Sequence, residues 1–154
     1  MIQIFGDADD LSADWVGVVA RADCGSRVLI ALAGEAVPAG FPSPAEEYLE
    51  KTLDLNEYLV PRPESTFFVR VCGDSMIGAA IHHDDLLLVD RSRTPRSGDV
   101  VIACVDGEFT VKRLRKTETG LELAPENPDY PPLALTEDTD FQVWGVVQHV
   151  IHKV

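Results

Sequence analysis

A mainly β domain with an extended N-terminal arm is the architecture this 154-residue sequence predicts. Three observations predict it. From Thr66 onward the chain is a succession of short runs rich in Val, Ile, Phe and Thr. Turn residues separate those runs. No βαβ alternation and no internal repeat interrupts them. A hydrophobic content of 45% supports a genuine core, and the length suits one modest domain.

Residues 1 to about 37 differ from the rest. Acidic side chains are scattered through them (Asp7, Asp9, Asp10, Asp14, Asp23, Glu35), and one apolar run, VLIALA at 28–33, reads as a short strand. So small a stretch hardly folds alone, and it reads as an arm that packs on another surface. PAGFPSP follows at 38–44. Three prolines in seven residues forbid a helix and favour extended backbone. Such a segment is either a linker or a peptide presented to a protease cleft. A helix start comes next, with Ser43 as N-cap, Pro44 as first helical residue and Glu46 as capping partner; Tyr48, Leu49 and Thr52 form its apolar face. A second start lies at Asp54, with Glu57 three residues on, before Tyr58 and Leu59. Pro61 and Pro63 end this region.

The expected strands are 66–72, 86–89, 100–105, 108–114, 121–124 and 141–154. Turn signals between them are Asp84-Asp85, Ser97-Gly98-Asp99, Asp106-Gly107, Glu118-Thr119-Gly120 and Pro131-Pro132. The strongest of these is Asp106-Gly107, which between two β-branched runs favours a two-residue type I′ turn. That turn sets Val105 opposite Glu108, Ala103 opposite Thr110 and Val101 opposite Lys112. Because side chains alternate along a strand, Lys112 shares its face with Val101, Ala103 and Thr110, while Arg113 and Arg115 point the other way.

Charge narrows the function classes. There are 26 Asp and Glu against 13 Lys and Arg, a formal net charge of −13. A nucleic-acid groove needs clustered cations, so direct binding to DNA or RNA is not expected. No apolar run approaches the ~20 residues that span a bilayer, and MIQIFGDADD lacks the basic start and apolar stretch of a signal peptide. A cytoplasmic protein without a membrane segment is the expectation. Cys24, Cys72 and Cys104 form no CxxC pair and read as small buried hydrophobes in a reducing compartment. No metal or cofactor is expected.

Chemistry concentrates in VCGDSMIG at 71–78. Gly73 and Gly78 bracket Asp74-Ser75-Met76, and a glycine before a serine permits a tight turn that exposes the hydroxyl and frees backbone N–H groups for an oxyanion. The pattern is not GxSxG, so an α/β-hydrolase elbow is not indicated. A nucleophilic serine needs a base. Nothing selects His82, His83, His149 or His152 for that role, and the adjacent pair His82-His83 would face opposite ways in an extended chain. A lysine is the other option. At its ordinary pKa of ~10.4 only about one lysine in two thousand is neutral near pH 7, and burial among apolar groups raises that fraction. Lys112 is the lysine so placed. Two readings of it stand on periodicity: a base, or a strand lysine whose stem covers apolar surface while its head reaches water.

The pattern as a whole resembles the LexA/UmuD family of self-cleaving serine peptidases. The matching segments are AGFPSPAEEYLEKTLDLNEYL (39–59), FFVRVCGDSMIG (67–78), DDLLLVDRS (84–92), GDVVIACVDGEFTVKRL (98–114), ENPDYPPL (126–133) and FQVWGVVQHVIHKV (141–154). The GDSM serine and the DGEFTVK lysine, in that order, are the specific pair. The resemblance implies the peptidase-like β-rich fold, with Ser75 as nucleophile and Lys112 as general base. It implies a scissile bond between Ala39 and Gly40, an arm 1–39 removed by self-cleavage, and a peptidase and dimerisation domain 40–154. The backbone N–H groups of Asp74 and Ser75 would hold the oxyanion, and Met76 would line the cleft. The implied setting is the SOS response: a cytoplasmic homodimer, stimulated by RecA–DNA filaments, whose shortened form serves a Y-family, UmuC-like polymerase in translesion synthesis. The arm is longer than the family member compared by about fifteen residues, and Cys24-Gly25 is a decoy for the junction; FPSP after Ala39-Gly40 favours the latter. A LexA-like repressor would need a helix-turn-helix domain that forty residues cannot hold. A signal peptidase shares the Ser–Lys chemistry but carries a membrane anchor. A non-catalytic, dimeric polymerase-binding module of the same fold is the remaining alternative.

Overall fold

The computed structural model describes residues 16–21, 29–32 and 51–154. Ala39, Gly40, Cys24 and the helix start at Ser43 lie outside the described residues. In chain order the elements are β1 (Val16–Arg21), β2 (Leu29–Leu32), β3 (Lys51–Asp54), α1 (Leu55–Leu59), β4 (Thr66–Val71), a single 3₁₀ turn (Ile77–Ala79), β5 (Leu86–Asp90), β6 (Val100–Val105), β7 (Glu108–Thr117), β8 (Gly120–Ala124), β9 (Leu133–Leu135) and β10 (Phe141–Ile151). They fall into two compact units, one spanning Asp23–Pro61 and the other holding β1 and everything from Arg62 to Val154.

In the smaller unit β2 pairs antiparallel with β3, Ile30 opposite Leu53. Leu29–Leu32 of the VLIALA run are therefore a strand, as the composition suggests. Thr52 sits in β3 and not on the helix face expected for it: cross-strand pairing with Ala31 overrides local helix signals. The second helix start holds. Asp54 is the N-cap of α1, its side chain accepting from the Asn56 N–H at 2.9 Å.

The larger unit is one eight-stranded antiparallel sheet in the order β1-β4-β5-β10-β6-β7-β8-β9. Two of these strands extend the sequence expectation. β1 lies in the arm and forms an edge against β4, with Gly17 opposite Arg70. β9 follows Pro131-Pro132 and pairs with β8. Both lie at the edges of the sheet, and their order comes from a neighbour more than from their own pattern. The centre of the sheet is built on β10, which bonds β5 on one side and β6 on the other. Gly145 allows that closeness: a Cβ there would lie 2.6 Å from Val89 Cγ1.

The β6–β7 hairpin has the expected register, Val105 to Glu108, Ala103 to Thr110 and Val101 to Lys112. Asp106 and Gly107 have φ of 50° and 87°, as a type I′ turn requires. Alternation then divides the core. Ile102 and Val111 pack with Val69, Val71, Met76, Ile81, Leu87 and Val89, while Val101 and Ala103 pack with Leu114, Leu123 and Val146. No helix among the described residues is long and apolar enough to cross a membrane.

Candidate active site

The serine turn leaves the end of β4. The exit is clamped by a pair of backbone bonds: Val71 N–H donates to Asp85 O and Asp84 N–H to Val71 O, both at 2.9 Å. Gly73 takes φ of 97°, a left-handed conformation that side chains disfavour, and turns the chain toward Ser75. Its N–H donates to His83 Nδ1 at 3.2 Å.

A distant segment fixes the rest of the turn. Glu126 N–H donates to Ser75 O at 2.9 Å, and Gly78 N–H donates to Glu126 O at 2.6 Å. Gly78 is needed for this approach, because a Cβ would lie 2.5 Å from Glu126 O. Asn127 Nδ2 donates to Asp74 O at 3.1 Å, and the Tyr130 hydroxyl donates to Asp74 Oδ1 at 2.6 Å. Glu126 is itself held by Arg113 Nε at 2.5 Å and Arg115 Nη2 at 3.1 Å. The hydrogen bond from Arg113, with its charge and that of Arg115, holds the Glu126 carboxyl below the usual carboxylate range against the opposing effect of burial.

Ser75 is 4% exposed, and Lys112 is partly buried. Lys112 Nζ donates to Ser75 Oγ at 2.8 Å, to Thr110 Oγ1 at 2.9 Å and to Val111 O at 3.1 Å. Among the described residues, Ser75 Oγ bonds to Lys112 alone. The same positions suit a neutral amine. Two N–H groups can go to Thr110 and Val111, which leaves the lone pair for the serine O–H. The i, i+2 spacing of Thr110 and Lys112 on one strand places Thr110 on the lysine face and is the signal the sequence carries for this contact.

Among the described residues, none accepts from the backbone N–H groups of Asp74, Ser75 or Met76, so these donors suit a developing oxyanion. The Met76 side chain is 1% exposed and belongs to the core cluster with Val69 and Leu87. An apolar thioether gains more from that cluster than from a wet cleft, so its side chain supports the turn from the core. Among the described residues, no histidine bonds to Ser75 Oγ. His83 serves Gly73, His149 lies on β10, and His82 and His152 flank Asp85. Asn127 and Tyr130 were not singled out by sequence reasoning, since nothing local connects them to Asp74.

The peptidase S24-like family matches residues 31–148. Protein SamA of Salmonella typhimurium is 52% identical over 119 residues, covering 77% of this chain and 82% of its own length. Protein ImpA of Escherichia coli is 48% identical over 116 residues, covering 75% and 78%. The LexA repressor of Paracidovorax citrulli is 36% identical over 128 residues, covering 83% of this chain and 56% of its own length.

Proposed function

Because the chain belongs to the peptidase S24-like family, the family of LexA and UmuD, we propose that it is a self-cleaving serine peptidase of the SOS response. The observation that carries this reading is the 2.8 Å contact between Lys112 Nζ and Ser75 Oγ in a partly buried setting. Neutral Lys112 takes the proton of Ser75 as the oxygen attacks the Ala39 carbonyl carbon. The tetrahedral oxyanion is held by the N–H groups of Asp74 and Ser75. Collapse breaks the Ala39–Gly40 bond, and the lysine ammonium returns its proton to the leaving Gly40 amine. Water, deprotonated by the same lysine, then releases residues 1–39 from the serine. The product is 40–154.

The substrate is a segment of the protein itself, so tethering replaces affinity for a free peptide. RecA–DNA filaments stimulate the reaction by favouring the docked, cleavable state of the arm, a population shift that needs no new chemistry. The acidic surface suits action through RecA in place of direct DNA contact. The shortened form, a cytoplasmic homodimer, serves a Y-family, UmuC-like polymerase in translesion synthesis.

Mass spectrometry of the purified chain tests the peptidase. Incubation at alkaline pH, where more lysine is neutral, is expected to yield the 40–154 fragment, with activated RecA accelerating it near neutrality. Ser75→Ala and Lys112→Ala abolish the product. A cut at another bond overturns the Ala39–Gly40 assignment. No cut under either condition overturns the peptidase and leaves the non-catalytic polymerase-binding module.

A further inference from the structure

Outside the Ser75–Lys112 pair, the fold assembles a second group of polar side chains that adjacency in the sequence does not reveal. The loop 82–85 meets the residue just past β10. His152 Nδ1 lies 2.7 Å from Asp85 Oδ1, and His82 Nδ1 lies 3.7 Å from Asp85 Oδ2. The two imidazoles stand 5.0 Å apart between centres, with planes tilted by 46°. The Asp85 side chain is 3% exposed, whereas those of His82 and His152 are 47% and 46% exposed. The carboxylate is anchored, since the His82 N–H donates to Asp85 Oδ2 at 2.8 Å and the Asp85 N–H donates to His82 O at 3.2 Å.

From this geometry we propose that His82, Asp85 and His152 bind a divalent transition cation of the zinc class, with solvent completing the coordination. Two imidazoles and one carboxylate are a donor set such cations favour. One ligand atom from each residue lies within 4.8 Å of the others, so the three fit a circle of radius about 2.8 Å; inward movement of less than about 1 Å reaches bonding distance. The half-exposed rings supply that movement and a path of entry, and the buried carboxylate is already ordered. The cation replaces the proton shared between His152 and Asp85. The neutral imidazole keeps its single N–H by carrying it on Nε2, so no net proton need be released.

His83, which sequence adjacency would pair with His82, is turned instead to the Gly73 N–H. The second imidazole comes from the far end of the chain. A bound cation would thus tie the end of β10 to the loop that clamps the exit of β4. This inference does not depend on the peptidase reading.

Titration of Co²⁺ into the full chain, followed by equilibrium dialysis and the visible ligand-field bands, tests it. One equivalent is expected, lost in His82→Gln and in His152→Gln and kept in His149→Gln, with Co²⁺ raising the Tm of the unsubstituted chain and of His149→Gln but not of the other two variants. Circular dichroism checks that the variants fold. Should one fail to fold, paramagnetic broadening of histidine ring protons in the unsubstituted chain decides the matter. Broadening of His82 and His152 together supports the site. Binding that survives both substitutions, broadening centred on other histidines, or no saturable binding overturns it.

Discussion

The two members of the reacting pair are held in place by different kinds of structure. Lys112 is set by a hairpin whose two-residue turn fixes every cross-strand neighbour, Val101 included. Ser75 is set by a turn whose supports, Glu126, Asn127 and Tyr130, arrive from more than forty positions away. The lysine's place is a matter of backbone register, which is all or none. The serine's place is a sum of separate polar contacts, each worth about 1 kcal/mol net. Substitutions around the lysine should therefore alter proton chemistry and leave stability nearly intact, and substitutions around the serine turn should lower stability and rate together.

The largest effect tests the lysine side. Lys112→Arg keeps a long, positively charged side chain and removes the capacity to give up a proton, since arginine stays charged at any workable pH. No cleavage product above the Ser75→Ala background is expected at any pH, by mass spectrometry. Cleavage by this variant would mean that the base is another group.

Next comes the serine side. Gly78→Ala forces a methyl group to within 2.5 Å of Glu126 O, so the turn and its supporting segment must separate. A cost of about 1–3 kcal/mol in stability is expected from denaturant unfolding. Cleavage should slow by about 10²-fold, the effect of a displacement near 1 Å at a reacting atom. Loss of rate with unchanged stability would contradict the division between the two sides.

What could be read from the sequence follows the same division. The hairpin was legible because Asp106-Gly107 has one favoured solution, and that solution places Lys112 beside Val101 and Ala103. The α1 start at Asp54 was legible because a cap is local chemistry. The serine turn was legible as a motif, through Gly73, Ser75 and Gly78. Its supports were not, because Asn127 and Tyr130 carry no local pattern pointing to Asp74. β1 and β9 were missed for a related reason: each is ordered by pairing at an edge of the sheet. Thr52 shows cross-strand pairing with Ala31 deciding a residue that helical spacing places on a helix face.

A smaller effect returns to the lysine. Thr110→Val keeps the shape of a β-branched residue and deletes the hydroxyl 2.9 Å from Lys112 Nζ. A hydroxyl acceptor stabilises an ammonium more than a neutral amine, so its loss should move the rising limb of the pH–rate profile to lower pH. The maximal rate should fall by about tenfold or less as one positioning contact is lost. Stability should change little, and a profile that moves upward would assign Thr110 to holding the neutral amine.

The smallest effect concerns Glu126, where backbone and side chain can be separated. Its backbone supports Ser75 and Gly78, while its carboxylate binds Arg113 and Arg115. The Arg113 hydrogen bond and the two guanidinium charges keep the folded carboxyl below its unfolded value of about 4.3. The ionised group therefore contributes stability above that pH, and the contribution is lost as pH falls through the lower folded value. With Arg115 half exposed, solvent screening limits the contribution to about 1 kcal/mol. Glu126→Gln should accordingly lower Tm by a few degrees at pH 7, with the gap closing on acidification. Cleavage at neutral pH should stay within about threefold of the unsubstituted chain, because the 126 backbone bonds remain. A collapse in rate at unchanged Tm would place the carboxylate in the reaction itself, and the serine would then depend on a charge as well as on a scaffold.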